Sequence, residues 1–113
     1  MRTINDYFLT SHIPSVSTAS STFVVVPDGG RIVKIFAHKK ATTTGTAAIS
    51  FEIDGVACTS AAISHVASGS AGKQYEVEPT SLNSVNEGSV IEAITDGGSS
   101  NSSKMELTYV IRR

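Results

Sequence analysis

Three histidines, one cysteine and three Asp-Gly pairs are the residues with most chemistry to offer, and their spacing limits what they can do. His12, His38 and His65 lie on three different segments, without the close spacing of zinc ligands. Cys58 is the single cysteine, so the chain has neither an intrachain disulfide nor a cysteine-based zinc set, and the thiol reads as a small buried hydrophobe. Ser64 and His65 are neighbours on an expected strand, which turns their side chains to opposite faces and rules out a Ser-His pair. Asp28, Asp54 and Asp96 each precede a glycine, where a carboxylate caps the backbone of its own turn. No Asp-x-Asp-x-Asp loop accompanies them, which argues against calcium. Gly69-Ser70-Ala71-Gly72 lacks the lysine and the following helix of a phosphate-cradling loop. His38-Lys39-Lys40 reads as a solvated basic cluster at a strand end, or one that pairs with acidic groups of a partner. The expectation is a protein that is not an enzyme, with no catalytic residue, no metal, no cofactor and no small-molecule substrate.

The totals agree. A chain of 113 residues supports one domain and one core, burying about 65% of the unfolded chain's surface. Charged residues make up 17%, below the globular norm, so Ser, Thr, Gly and Ala leave the surface largely neutral and hydroxyl-rich. A formal charge of -1 gives no basic footprint for nucleic acid. At the N-terminus Asn5, Asp6, Thr10 and Ser11 interrupt every apolar run, so no signal-peptide core or membrane span is read there. A soluble chain beginning at Met1 is expected.

The elements that must position these residues are short strands. Ser21 to Val26 and Arg31 to His38 flank Pro27-Asp28-Gly29-Gly30, and the whole reads as a β-hairpin with a twisted turn. In the second run, alternation puts Val33, Ile35 and Ala37 on one face and Ile32, Lys34, Phe36 and His38 on the other. Ala41 to Thr46 is a loop. Ala47 to Ile53 is the cleanest strand, with Ala47, Ile49, Phe51 and Ile53 on one face, and Asp54-Gly55 is a favoured two-residue hairpin turn after it. A weaker strand at Ala61 to Val66, a flexible Ala67 to Gly72, and a strand at Lys73 to Glu78 with Tyr75 and Val77 inward follow. Leu82 and Val85 are expected to pin the next loop to the core. Ser89 to Thr95 and Lys104 to Ile111 complete the set, the last with Met105, Leu107, Tyr109 and Ile111 on one face, as suits a strand well inside a sheet. Gly97 to Ser103, without a bulky side chain, reads as the most mobile stretch.

Seven or eight short strands without a convincing helix predict an all-β, single β-sandwich of antiparallel strands, jelly-roll-like, with an immunoglobulin-like topology as the alternative. Residues 1–19 show no clean period but are too apolar for a solvated tail, and read as an extended N-terminal arm before a sandwich domain at 20–113. The arm either lies back on its own domain as an edge strand or is ordered by docking on another chain. Under the second reading, deleting residues 2–12 leaves the sandwich folded. Tyr7, Phe8, Leu9 and Ile13 are then the candidate contacts to a partner, and the mixed apolar face of Val24, Ile32 and Phe36 the candidate self-association surface.

Ile13-Pro14-Ser15-Val16-Ser17-Thr18-Ala19-Ser20-Ser21, a valine-rich strand with Pro27-x-x-Gly30 and Val33-x-Ile35, Phe51-x-Ile53-x-Gly55, Gly69-Ser70-Ala71-Gly72, and Val85-x-x-Gly88-x-x-Ile91-x-x-x-Thr95-Asp96-Gly97-Gly98 follow in that order. This order resembles the small β-sandwich head decoration, or capsid cement, proteins of tailed bacteriophages, across residues 13 to 113. The resemblance implies a virion structural protein, made in the host cytoplasm and placed on the outer surface of the capsid. Its partner would be the major capsid protein and its state a homotrimer, with no nucleic acid or membrane partner. A receptor- or carbohydrate-binding module of a tail or head fibre, using the Ser-rich loops 67–72 and 97–103, is the alternative.

Overall fold

The computed structural model describes residues 6–40, 47–65, 74–100 and 103–113, with the side chains of Ser64 and His65 excepted. The expected loops at 41–46 and 67–72 lie outside the described residues. Among the described residues ten strands run in the order β1 (Asp6–Ile13), β2 (Ser20–Val25), β3 (Gly30–Lys39), β4 (Ala47–Ile53), β5 (Val56–Ala57), β6 (Ile63–His65), β7 (Gln74–Val77), β8 (Ser84–Val85), β9 (Val90–Thr95) and β10 (Met105–Arg112). They form two antiparallel five-stranded sheets. Sheet A has the order β1-β10-β3-β7 with β8 also on β3, and sheet B the order β2-β9-β4-β5 with β6 also on β4. The chain crosses between the sheets at β1 to β2, β2 to β3, β3 to β4, β6 to β7, β8 to β9 and β9 to β10, so sequence neighbours face each other across the core. This is the expected β-sandwich, in a jelly-roll-like arrangement. No helix among the described residues is long and apolar enough to cross a membrane.

The core sits where the alternating residues of both sheets meet. Ile49, Phe51 and Ile53 of β4, Ile91 and Ala93 of β9, and Met105, Leu107, Tyr109 and Ile111 of β10 are all buried, as their period of two requires. Phe51 and Tyr109 join the sheets edge to face, with ring centroids 5.9 Å apart at 89°, a geometry worth about 0.5–1.5 kcal/mol beyond area burial. The Tyr109 hydroxyl shares a 3.1 Å hydrogen bond with Ser11, which explains a polar residue on the inner face of β1. Burial pushes the Tyr109 phenol up to about 12, against a smaller lowering by Ser11. Cys58 is a buried free thiol, pushed upward by burial and then by Glu52.

At Asp54-Gly55 both residues have positive φ, 51° and 86°, the signature of the tight turn expected between β4 and β5. The Asp54 carboxylate, however, reaches beyond its turn and accepts from the Val90 amide at 3.0 Å, clasping β9. Asp28 does cap its own turn, accepting from Gly29 at 2.8 Å, and Asp96 accepts from Gly98 at 2.9 Å and from Ala48 of β4 at 3.0 Å.

Several expectations are corrected. Ser20 to Lys39 is not a hairpin: β2 pairs with β9 and β3 with β10, so Pro27 to Gly29 turns the chain from one sheet to the other. Of the expected arm at 1–19, the described part from Asp6 onward is not apart from the domain at 20–113: residues 6–13 form β1, paired with β10 along its whole length, which is the edge-strand reading and not the docked one. The inward residues of β1 are Tyr7, Leu9, Ser11 and Ile13, and Val16 in the following segment is fully buried. Deleting residues 2–12 would therefore strip an edge strand from β10. Leu82 is 61% exposed, and the loop is pinned instead by Val85 and by buried Asn83, whose amide donates to Ile32 O at 2.6 Å. Lys39 is fully buried, with its ammonium 5.9 Å from the centre of the Tyr75 ring, while His38 and Lys40 are exposed. Gly97 to Ser100 is tied down: Ser99 is buried and donates its amide to Val16 O at 3.2 Å. Residues 101 and 102 lie outside the described set.

Candidate functional site

The outer face of sheet A carries the site, and a bulge in β3 creates it. The register pairs Val110 with Lys34 but Ile111 with Ile32, so Val33 is the extra residue. Ile32 and Ile35 both turn into the core, and Val33 and Lys34 are displaced outward between them. Strict alternation would have kept Ile32 on the face of Phe36. The bulge separates them.

Across the sheet, Phe8 of β1 stands opposite Val110 of β10, which stands opposite Lys34; the next row is Thr10, Thr108, Phe36 and Glu76. Phe8, Val33, Lys34, Phe36 and Val110 line an open depression of about 470 Å³, together with Arg112 and Glu78 at its rim and Asp6, whose side chain is buried. A second depression of about 320 Å³, lined by Arg31, Val33, Glu78, Pro79, Thr80 and Asn83, continues from it through the shared Val33 and Glu78. The floor is apolar and the rim is charged.

The rim charges are largely paired within the molecule. Arg112 grips Asp6 with two bonds, Nε to Oδ1 at 2.9 Å and Nη2 to Oδ2 at 3.1 Å. These hydrogen bonds, and then the carboxylate's charge, raise the Arg112 guanidinium still further. The Lys34 ammonium lies 3.6 Å from Glu76 and 5.3 Å from the centre of the Phe36 ring, placing the charge over the ring and beside the carboxylate. At the corner beside the depression, the Tyr7 hydroxyl donates to Asp28 O, and Arg113 bonds the Asp28 carboxylate at 2.8 Å while lying over the Tyr7 ring. The Tyr7 phenol is raised by burial and by Asp28, and lowered by Arg113.

Of the expected contact residues, Phe8 of β1 and Phe36 of β3, one a candidate partner contact and the other a candidate self-association residue, meet in this depression. Ile13, 1% exposed, and Ile32, fully buried, are core residues and cannot touch a partner; the reasons are β1's pairing with β10 and the bulge in β3. Tyr7, Leu9 and Val24 are partly buried and pack against the core. Sequence reasoning missed Val33, Val110 and the Asp6-Arg112 clasp, since a bulge leaves no mark in the period of a strand and the clasp joins residues 106 apart. The alternation of Tyr7, Leu9 and Ile13 against Asp6, Thr10 and His12 was the available sign of β1, with Phe8 masking it.

His12 and His38 flank Glu106 in one row of sheet A, two strand spacings apart, and Glu106 approaches Lys40 at 4.0 Å. Among the described residues no three His, Cys, Asp or Glu side chains are placed to hold a metal ion.

The fold and the site thus define a small β-sandwich with an apolar depression on one sheet. No family model and no curated protein matches the chain in sequence. Solved structures do resemble it. A chain of the acidic stable capsid structure of Helicobacter pylori bacteriophage KHP30 is 13% identical, with 96% of this chain and 87% of that one covered at a TM-score of 0.63. The family 35 carbohydrate-binding module from Paenibacillus barcinonensis is 15% identical, with 96% and 98% covered at a TM-score of 0.54. A family 43 arabinoxylan arabinofuranohydrolase from Bacillus subtilis, in complex with cellotetraose, is 15% identical over all of this chain but only 23% of its own, at a TM-score of 0.61. At these identities the likeness is one of fold. Neighbours matching this chain in size include binding modules and a chain of a phage capsid.

Proposed function

We propose that the chain is a structural virion protein, a capsid decoration or cement protein of a tailed bacteriophage, which binds the outer surface of the head and stabilises contacts between major capsid protein subunits. The observation that carries this reading is the apolar floor of Phe8, Val33, Phe36 and Val110 held on a rigid sheet behind a rim of internally paired charges. Such a surface favours a protein partner with apolar anchors over a charged ligand. Fold likeness to a phage capsid chain over most of both chains adds support. A homotrimer would present three such depressions at once, and the second and third contacts would become intramolecular. The test is co-sedimentation with expanded capsids lacking the protein. The wild type pellets with them, and a Phe8→Ser, Phe36→Ser double variant with unchanged far-UV circular dichroism does not. A folded double variant that pellets equally well refutes the assignment of the surface, and a wild type indifferent to capsids refutes the function.

A carbohydrate-binding module of a tail or head fibre is the second reading, favoured by two aromatic rings beside charged groups in one depression and by the fold likeness to such modules. Retention on insoluble polysaccharide that is lost in the same double variant would select it.

A further inference from the structure

On the opposite sheet, Phe23 and Val25 are each 62% exposed, the most exposed of the large apolar side chains of the described residues. Both lie on β2, which pairs with β9 on one side and with no described strand on the other. The direction of their backbone follows from the ladder. Val26 donates to Ser89 O and accepts from Gly88, so Val26, Val24 and Thr22 turn their amides and carbonyls toward β9. Ser21, Phe23 and Val25 then turn theirs outward, along an edge that no described strand pairs; β1 approaches β2 nearby, where the Thr22 hydroxyl donates to His12 O at 2.7 Å. Natural edges of this kind are usually blunted by lysine, proline or a bulge, and β2 has none of these within its span.

The charge beside this edge is all of one sign. Phe23 stands opposite Glu92 of β9, and Glu92 stands directly opposite Glu52 of β4. Like charges facing each other across a ladder destabilise it. Among the described residues, no ion pair supplies either glutamate with a cation. A second copy pairing edge to edge through β2 would bring only more glutamate to this row. A lysine or arginine on an added strand would lie about 10 Å from Glu92, two strand spacings away, where its stem can cross the Phe23 ring and its charge reach the carboxylate.

We propose that the free edge of β2 is a second docking site, distinct from the sheet A depression, which takes an extended segment of another protein by strand addition, and that this segment carries lysine or arginine on the face it shares with Phe23, Glu92 and Glu52. Main-chain hydrogen bonds to Ser21, Phe23 and Val25 hold the segment, and the carboxylate row selects its charge.

The experiment uses the full chain and two capped peptides, one alternating valine with lysine and the other valine with glutamate. Amide hydrogen exchange reads the edge, and titration at low and high salt reads the affinity. The expected result is slowed exchange at Phe23 and Val25 with Val24 unchanged, and binding of the lysine peptide roughly three- to tenfold tighter than of the glutamate peptide. That preference shrinks with salt and in the E52Q/E92Q variant. Equal affinity for the two peptides, or no protection of Phe23 and Val25 at peptide concentrations near ~1 mM, overturns the proposal. So does protection of the same amides that rises with protein concentration alone, since a second copy would then occupy the edge.

Discussion

Ile32→Ala and Phe36→Ala together test the bulge on which the sheet A surface depends. In unbroken alternation the two residues share a face and should respond alike, but the shift between Val110 and Ile111 buries Ile32 completely and leaves Phe36 half-buried over the depression. Ile32→Ala removes three buried carbons, about 2.4 kcal/mol at 0.8 kcal/mol each. A cavity term raises the cost to about 3–4 kcal/mol, because buried Ile35, Ile111 and Val85 in the same core are held by strand pairing and cannot collapse into the space. Phe36→Ala removes a ring already partly in solvent and its contact with Lys34, a loss under about 1 kcal/mol. With a denaturant slope near 1.5 kcal/mol/M, the urea midpoint falls by about 2 M for the first variant and by less than about 0.7 M for the second. Circular dichroism of the strand signal is the assay. Equal losses, or a larger loss at Phe36, would refute the bulge and return Ile32 to the surface.

Three further outcomes follow from the packing. The Tyr109 phenol, held at about 12 when folded against about 10 when unfolded, contributes stability that is complete below pH 10 and lost as pH rises from 10 to 12. The unfolded chain releases that proton first, so the unfolding free energy from urea titrations should fall over this window by up to about 2.7 kcal/mol more in the wild type than in Tyr109→Phe. Gly97 has φ of 73°, and a Cβ there would stand 2.8 Å from the Thr18 carbonyl carbon, so Gly97→Ala should cost about 2 kcal/mol or more in chemical denaturation. Gly55, at φ of 86° but facing open space, should lose only about 1 kcal/mol on the same change.

Most of the strands, and the side each presents to the core, were legible in the sequence, because both depend on a period of two within a few consecutive residues. Ala47 to Ile53 and Lys104 to Ile111 show this best: β4 matches to the residue, and the four expected core residues of β10 are all buried. The Asp54-Gly55 turn was equally local, since its positive φ values are a property of two residues. Which strands pair was a different matter. A Pro-Asp-Gly-Gly turn can close a hairpin or carry the chain between sheets, and the choice fell to β9 and β10, far along the chain, which offered β2 and β3 better partners than each other.

The candidate site belongs to that second category. Its two rings, Phe8 and Phe36, were visible as residues, but nothing local says that they lie two strands apart on one face with Val110 between them. β10 decides this by pairing with β1 on one side and β3 on the other. The bulge at Val33, the clasp of Asp6 by Arg112 and the burial of Ile13 all follow from the register of that one central strand. Alternation sets each strand's faces from within a few residues, while register is settled only when distant strands bury those faces together.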